Sequence, residues 1–117
     1  MKIVYIAHPI SGDIQRNLKK IIDIVREINI THDDVVPFCH YWVDCHALDD
    51  NNLSERERGI QNDREFFKRK FIDEVWVYGD KISNGMLAEI RLAKSLNIPI
   101  ISMSEKLNKL LRGNSHK

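Results

Sequence analysis

The chain has 117 residues, 43% hydrophobic and 30% charged, the balance of one folded domain with its own core and not of a disordered segment. With 18 Lys and Arg against 17 Asp and Glu, the formal net charge is +1. That gives no support for a nucleic-acid polymer as partner, but leaves room for one small phosphate ligand. No apolar run approaches the ~18 residues that span a bilayer, Met1–Ala7 is too short and too β-like for a secretion signal, and two cysteines, Cys39 and Cys45, are too few for a secreted disulfide scaffold. The expectation is a cytoplasmic protein without a membrane partner, with one domain over residues 1–112 and a loose tail over 113–117.

Residues 2–7 (KIVYIA) are apolar and β-branched and end in His8-Pro9 and Ser11-Gly12, which predicts a buried strand and a loop. Leu18, Ile21, Ile22, Val25 and Ile28 fall at helical spacing within 14–28. Asp33-Asp34 reads as a turn and residues 35–38 as a second strand, which Pro37 places near an edge. Residues 39–53 follow no clean period and read as a polar, aromatic functional loop. Ser54 with Glu57 forms a capping box that predicts a helix to about Lys70. A third strand is expected at 75–78, a helix over 84–96 opened by Ser83 and closed by Asn97, a fourth strand at 98–101 and a short helix at 105–111.

Strands interleaved with helices predict a single α/β, three-layer Rossmann-like domain with flavodoxin-like order. Its sheet is mainly parallel, with four to five strands. With the order 2-1-3-4, the switch point lies between the first and third strands, and the loops His8–Asp13 and Gly79–Gly85 face a ligand crevice. Ser83-Asn84-Gly85 opens a helix there, where free N–H groups and the helix dipole favour an anion; Ser83 also reads simply as an N-cap. Glu89 lies among apolar neighbours on the same helix. It sits either at the solvent boundary, which composition favours, or in a cavity, where it can attack an electron-poor carbon. His8 reads equally as a loop hydrogen-bonder and Asp63 as a surface charge. Cys39-His40 and Cys45-His46 do not match zinc half-sites, so no metal is expected.

Several segments resemble the nucleoside 2-deoxyribosyltransferase-like superfamily, closest to small bacterial and phage members of DUF4406 type. They are Tyr5-Ile6-Ala7-His8-Pro9, Pro37-Phe38-Cys39-His40, Ala47-Leu48-Asp49-Asp50, 55–60 (ERERGI) with Asp63, 73–79 (DEVWVYG) and, most specific, 83–90 (SNGMLAEI). The resemblance spans residues 2 to about 101. It implies Glu89 as a nucleophile for C1′ of the sugar, Tyr5 as the hydroxyl that places it, and Asp63 as a catalytic carboxyl. Ser83 stands where free-nucleoside transferases carry an aspartate, which is similar to the 2′-deoxynucleoside 5′-phosphate N-hydrolases. A serine at a helix start suits a phosphate that an aspartate would repel.

The resemblance thus implies an N-glycosidase, hydrolase or transferase, cleaving the base–sugar bond of a nucleoside 5′-monophosphate of the deoxy series. Ser83, Asn84, Gly85, Met86, His8, Pro9, His40 and Asp49 are the expected substrate contacts. Asp63 or His40 would protonate or steady the leaving base, and no cofactor is required. His8-Pro9 differs from the glycine/serine-rich loop of those hydrolases. The alternatives are a non-catalytic nucleotide-binding or sequestering protein and an interaction protein using an exposed Tyr41-Trp42 loop. A homo-oligomer, most simply a dimer, is expected from the resemblance and from aromatic rings in 39–53 that a small domain would leave uncovered.

Overall fold

Alternation of buried residues along the first strand sets the layering. A computed structural model describes residues 1–105 and Leu107, with the elements β1 (Lys2–Ala7), α1 (Ile14–Thr31), β2 (Val35–Phe38), α2 (Tyr41–Ala47), α3 (Leu53–Lys68), β3 (Glu74–Val77), α4 (Asn84–Ser95) and β4 (Ile100–Ser102). The sheet has four strands in the order β2-β1-β3-β4, every pair parallel. Tyr5 and Ala7 pair with Val75 and Val77 and pack with Phe67 of α3 and Met86, Ile90 and Ala93 of α4. Val4, Ile6 and Trp76 point the other way, with Ile28 of α1. Strands covered on both faces read as continuous apolar runs, which is why β1 and β3 were plain in the sequence. The expected strand order is the observed one, and the Pro37 strand is an edge.

Two expectations fail locally. Residues 39–53 are not one loop. Tyr41–Ala47 forms α2, which buries Tyr41 and half-buries Cys45, and its C-cap Leu48, also half-buried, lines the cleft. The Tyr41 hydroxyl donates to the Ile6 carbonyl, and Trp42 Nε1 donates to the Leu18 carbonyl at 3.0 Å. Both rings are taken up by the chain's own core, so the exposed aromatic loop on which the interaction reading relied is absent. The second failure is the start of α3. Asn52 caps it, accepting from the Glu55 N–H at 3.2 Å, which places Ser54 inside the first turn. An Asn-x-x-Glu pattern lies two residues ahead of the Ser-x-x-Glu one, and Asn caps at least as well as Ser.

The remaining ends follow the sequence more closely. Asp13 caps α1 through its side chain. Ser83 caps α4, its Oγ accepting from the Met86 N–H at 3.2 Å, and Asn97 follows α4 with a φ of 60°, the left-handed position at which Asn is tolerated. The expected helix at 105–111 and the tail at 113–117 lie outside the described residues, except that Glu105 and Leu107 are described and Leu107 is buried in the core.

At the C-terminal edge of the sheet, the loops after β1 and β3 press together. Gly79 has a φ of 99°, and a Cβ there would stand 2.8 Å from Pro9 Cδ. Both facts demand glycine. Gly79→Ala should cost about 1–3 kcal/mol, read as a lower urea midpoint with an unchanged m-value; an unchanged midpoint would show that this contact does not constrain the loops.

Candidate active site

The cleft opens where β1 and β3 part company, at the switch point expected from the strand order. It has a volume of about 590 Å³ and is walled by α2, α3 and α4 and by the loop after β1. From the end of β1, Tyr5 sends its ring into the core against Phe67 (4.7 Å between centroids), Tyr41 (5.7 Å) and Phe38 (6.4 Å). Only its hydroxyl remains to be satisfied, and two carboxyls meet it. Asp63 Oδ2, from α3, lies 3.0 Å away, and Glu89 Oε2, from α4, is hydrogen-bonded to the same oxygen.

The proton count of this trio follows from elementary chemistry. Burial and the two carboxylates hold the Tyr5 hydroxyl well above its ordinary pKa, so it keeps its proton. One O–H donates once. If both carboxyls bond the hydroxyl, one of them must be protonated and donate to it. The electrostatics agree. Burial pushes Glu89 up to about 8, against the Tyr5 hydrogen bond and with help from the Asp63 charge. Burial pushes Asp63 up to about 6, opposed by the Tyr5 hydroxyl, aided by Asp44 and opposed by His40. Between those values the pair shares one proton. Asp63 Oδ1 is buried with no hydrogen-bond partner among the described residues, an acceptor held in reserve beside the cleft.

A second feature stands at the start of α4. Ser83, Asn84, Gly85 and Met86 all line the cleft. The Ser83 side chain covers the Met86 N–H, and the Ser83 carbonyl takes the Leu87 N–H. Asn84 and Gly85 N–H groups have no partner within a helix, and a Cβ on Gly85 would meet nothing within 4 Å. Glu89 lies six residues after Ser83, roughly 9 Å along α4 by the helical rise.

The other sequence-derived candidates divide. His8 is buried and lines the cleft. Its Nδ1 lies 2.7 Å from the Pro9 carbonyl, which can only accept, so Nδ1 carries the proton and Nε2 is an acceptor. Burial lowers its pKa, which makes it a neutral group and not a phosphate-binding cation. Pro9, His40 and Asp49 do not line the cleft. Pro9 buttresses Gly79. His40 is drawn to the start of α2, where its ring packs on Phe66 at 5.0 Å and Nε2 lies 3.6 Å from Asp44 Oδ1. Asp49 Oδ1 accepts from the Asn51 N–H in the turn before α3. Cys39 and Cys45 both have thiols pushed up to about 11, first of all by burial, so neither is a ready thiolate.

Asp44, Gly59, Ile60 and the arginines Arg56 and Arg64 also line the cleft and were not read from the sequence. A signal for the α3 residues existed: 56, 60, 64 and 67 share one helical face with Asp63. Asp44 had none, because its placement depends on α2.

Stability should report the buried charge. Glu89 titrates higher in the folded chain than in the unfolded one. Its contribution is therefore full below the ordinary carboxylate range and is lost as pH rises through about 8. Glu89→Gln should raise Tm at alkaline pH by at least about 4–8 °C, equivalent to ~1 kcal/mol, and the gain should shrink toward pH ~5. A Tm difference independent of pH would contradict the buried, raised carboxyl.

No curated protein and no solved structure matches the chain. Among the described residues, no helix is long and apolar enough to cross a membrane. The model of a family described as a domain of unknown function, DUF7768, matches residues 2–103, a span that takes in all four strands and every cleft residue named above. The chain belongs to the DUF7768 family.

Proposed function

We propose that the protein is an N-glycosidase that cleaves the base–sugar bond of a nucleoside 5′-monophosphate, of the deoxy series by the resemblance. The observation that carries this reading is the convergence of Glu89 and Asp63, from facing helices, on the Tyr5 hydroxyl beside the cleft. Carboxyls that share one hydroxyl are too close for the inverting arrangement, which needs roughly 6.5–9.5 Å for an intervening water. They suit the retaining one, in which a carboxylate attacks the sugar. The start of α4 supplies the anion site for the 5′-phosphate.

The chemistry follows from the proton count. A proton on Glu89 or on Asp63 differs by two short transfers through the Tyr5 hydroxyl. The positive charge developing at C1′ favours the form with ionised Glu89 and protonated Asp63. Glu89 Oε then bonds to C1′ while the C1′–N bond breaks. The bonding pair leaves with the base, and the Asp63 proton goes to the base. In the second half, Asp63 takes a proton from water, the water oxygen bonds to C1′, and the C1′–Oε bond breaks to restore the Glu89 carboxylate. The products are free base and sugar 5′-phosphate.

A second reading has its own support. Glu89 pushed up to about 8 is protonated at neutral pH in the free protein, which favours nucleotide binding without turnover unless bound substrate draws the proton away. A homo-oligomer belongs to the proposal on the resemblance alone, since Tyr41 and Trp42 are internal.

Incubation with the nucleoside 5′-monophosphates should release free base. Glu89→Gln should lower turnover by at least ~10²-fold in a folded protein, and mass analysis of quenched wild type should find a glycosyl adduct on Glu89. Binding without base release would favour the second reading. Ser83→Asp should weaken monophosphate binding relative to free nucleosides, measured by calorimetry. A wild type that already prefers free nucleosides would remove the phosphate assignment.

A further inference from the structure

We infer that Tyr41 is a positioning residue for the acid pair: pinned to the end of β1 by its hydroxyl, it holds the partition that keeps water off the Tyr5 hydroxyl, and so confines Asp63 and Glu89 to one shared proton. This goes beyond the nucleotide reading and holds for whatever ligand fills the cleft.

The partition shows in which residues face where. Tyr5 is fully buried and is not part of the cleft wall, whereas Tyr41 and Phe67 line the cleft and also pack on the Tyr5 ring. Those two rings therefore stand between the cleft and Tyr5. Phe67 belongs to a helix of 16 residues. Tyr41 opens α2, a helix of seven residues whose cap, His40, makes no side-chain hydrogen bond. So short a helix depends on its tertiary anchors.

The anchor at Tyr41 follows from where the strands end. The Ile3 and Ala7 carbonyls accept from the Asp73 and Tyr78 N–H groups, and the Lys2 N–H donates to the Asp34 carbonyl. Odd residues of β1 thus turn to β3, and even ones, Ile6 among them, turn to β2. β2 ends at Phe38, opposite Tyr5, so the Ile6 carbonyl looks past the last strand donor. The Tyr41 hydroxyl donates to it. Burial holds that hydroxyl well above its ordinary pKa, so it stays a donor. A buried carbonyl left without it would take a water instead, and that water would enter beside the Tyr5 ring.

The ionisable groups facing Glu89 are Tyr5 from β1, Asp63 from α3 and Tyr41 from α2. Asp44 and His40 face Asp63, Cys39 and Cys45 face Tyr41, and Arg56, Arg64, Asp50 and Glu55 complete the charged lining of the cleft. Tyr41→Phe keeps every one of those charges and the ring, and removes one oxygen of a neutral phenol. A change in the titration of Glu89 in that variant therefore reports hydration of the site.

The test is an NMR titration of the Glu89 carboxyl in wild type, Tyr41→Phe and Trp42→Phe. The last loses another α2 anchor, Trp42 Nε1 on the Leu18 carbonyl, from a ring that is not among those packed on Tyr5. Tyr41→Phe should lower the Glu89 midpoint by at least ~1 pH unit toward the ordinary carboxylate value, and Trp42→Phe should move it by less than ~0.3. An unchanged or raised midpoint in folded Tyr41→Phe overturns the inference. So does an equal fall in both variants, which would mark the docking of α2 in general. No nucleotide enters these measurements, so their failure leaves the glycosidase reading standing, and an absence of base release leaves the role of Tyr41 standing. If Tyr41→Phe does not fold, wild type decides: the Tyr5 and Tyr41 hydroxyl protons should give separate resonances that exchange slowly with water, and exchange as fast as that of an exposed phenol overturns the inference.

Discussion

A single hydroxyl caught between two carboxyls organises this molecule. Tyr5 can reach both Asp63 and Glu89 only because β1 is central in the sheet and α3 and α4 pack on the same face of it. The aromatic packing of Phe67 and Tyr41 on Tyr5 fixes the ring, so the hydroxyl cannot turn away. Two helices that contribute acids to one point would repel if both acids were ionised. A shared proton removes most of that cost and leaves a pair with one charge and one transferable proton.

The same arrangement links stability to chemistry. Half-buried at the cleft, Glu89 costs folding energy in its ionised form, and a side chain without charge would cost less there. Asp63 Oδ1, without a partner among the described residues, is the same kind of local expense. Buried polar groups that the fold does not satisfy mark places where a ligand can. The rigid part of the device is the sheet edge, where Gly79 and Pro9 hold the two switch-point loops in contact. The exposed part is the start of α4, where Asn84 and Gly85 face solvent.

How far the sequence exposed this can be read from particular residues. β1 and β3 were plain because both faces are buried, and Pro37 marked an edge strand correctly because a missing N–H is tolerated there. Ser83 was legible as a cap because capping is local. The convergence of Tyr5, Asp63 and Glu89 was not local. It needed three elements separated by dozens of residues, and only the family resemblance pointed to it; by composition Glu89 looked like a solvent-boundary residue. α2 escaped because His40, Asp44 and His46 interrupt its apolar stripe, and with it went Asp44, whose position has meaning only once α2 lies against α3. Pro9, His40 and Asp49 were adjacent in sequence to cleft residues, but backbone turns and packing on Gly79 and Phe66 carry them away from the cleft.

The shared proton is open to direct observation by carbon-detected NMR titration of the Asp63 and Glu89 carboxyls, assigned with Asp63→Asn and Glu89→Gln. The account predicts that both titrate well above the ordinary carboxylate value of about 4, that the pair carries one proton near neutral pH, and that removing either partner changes the titration of the other. Two carboxyls that titrate independently near the ordinary value, both ionised at neutral pH, would contradict it.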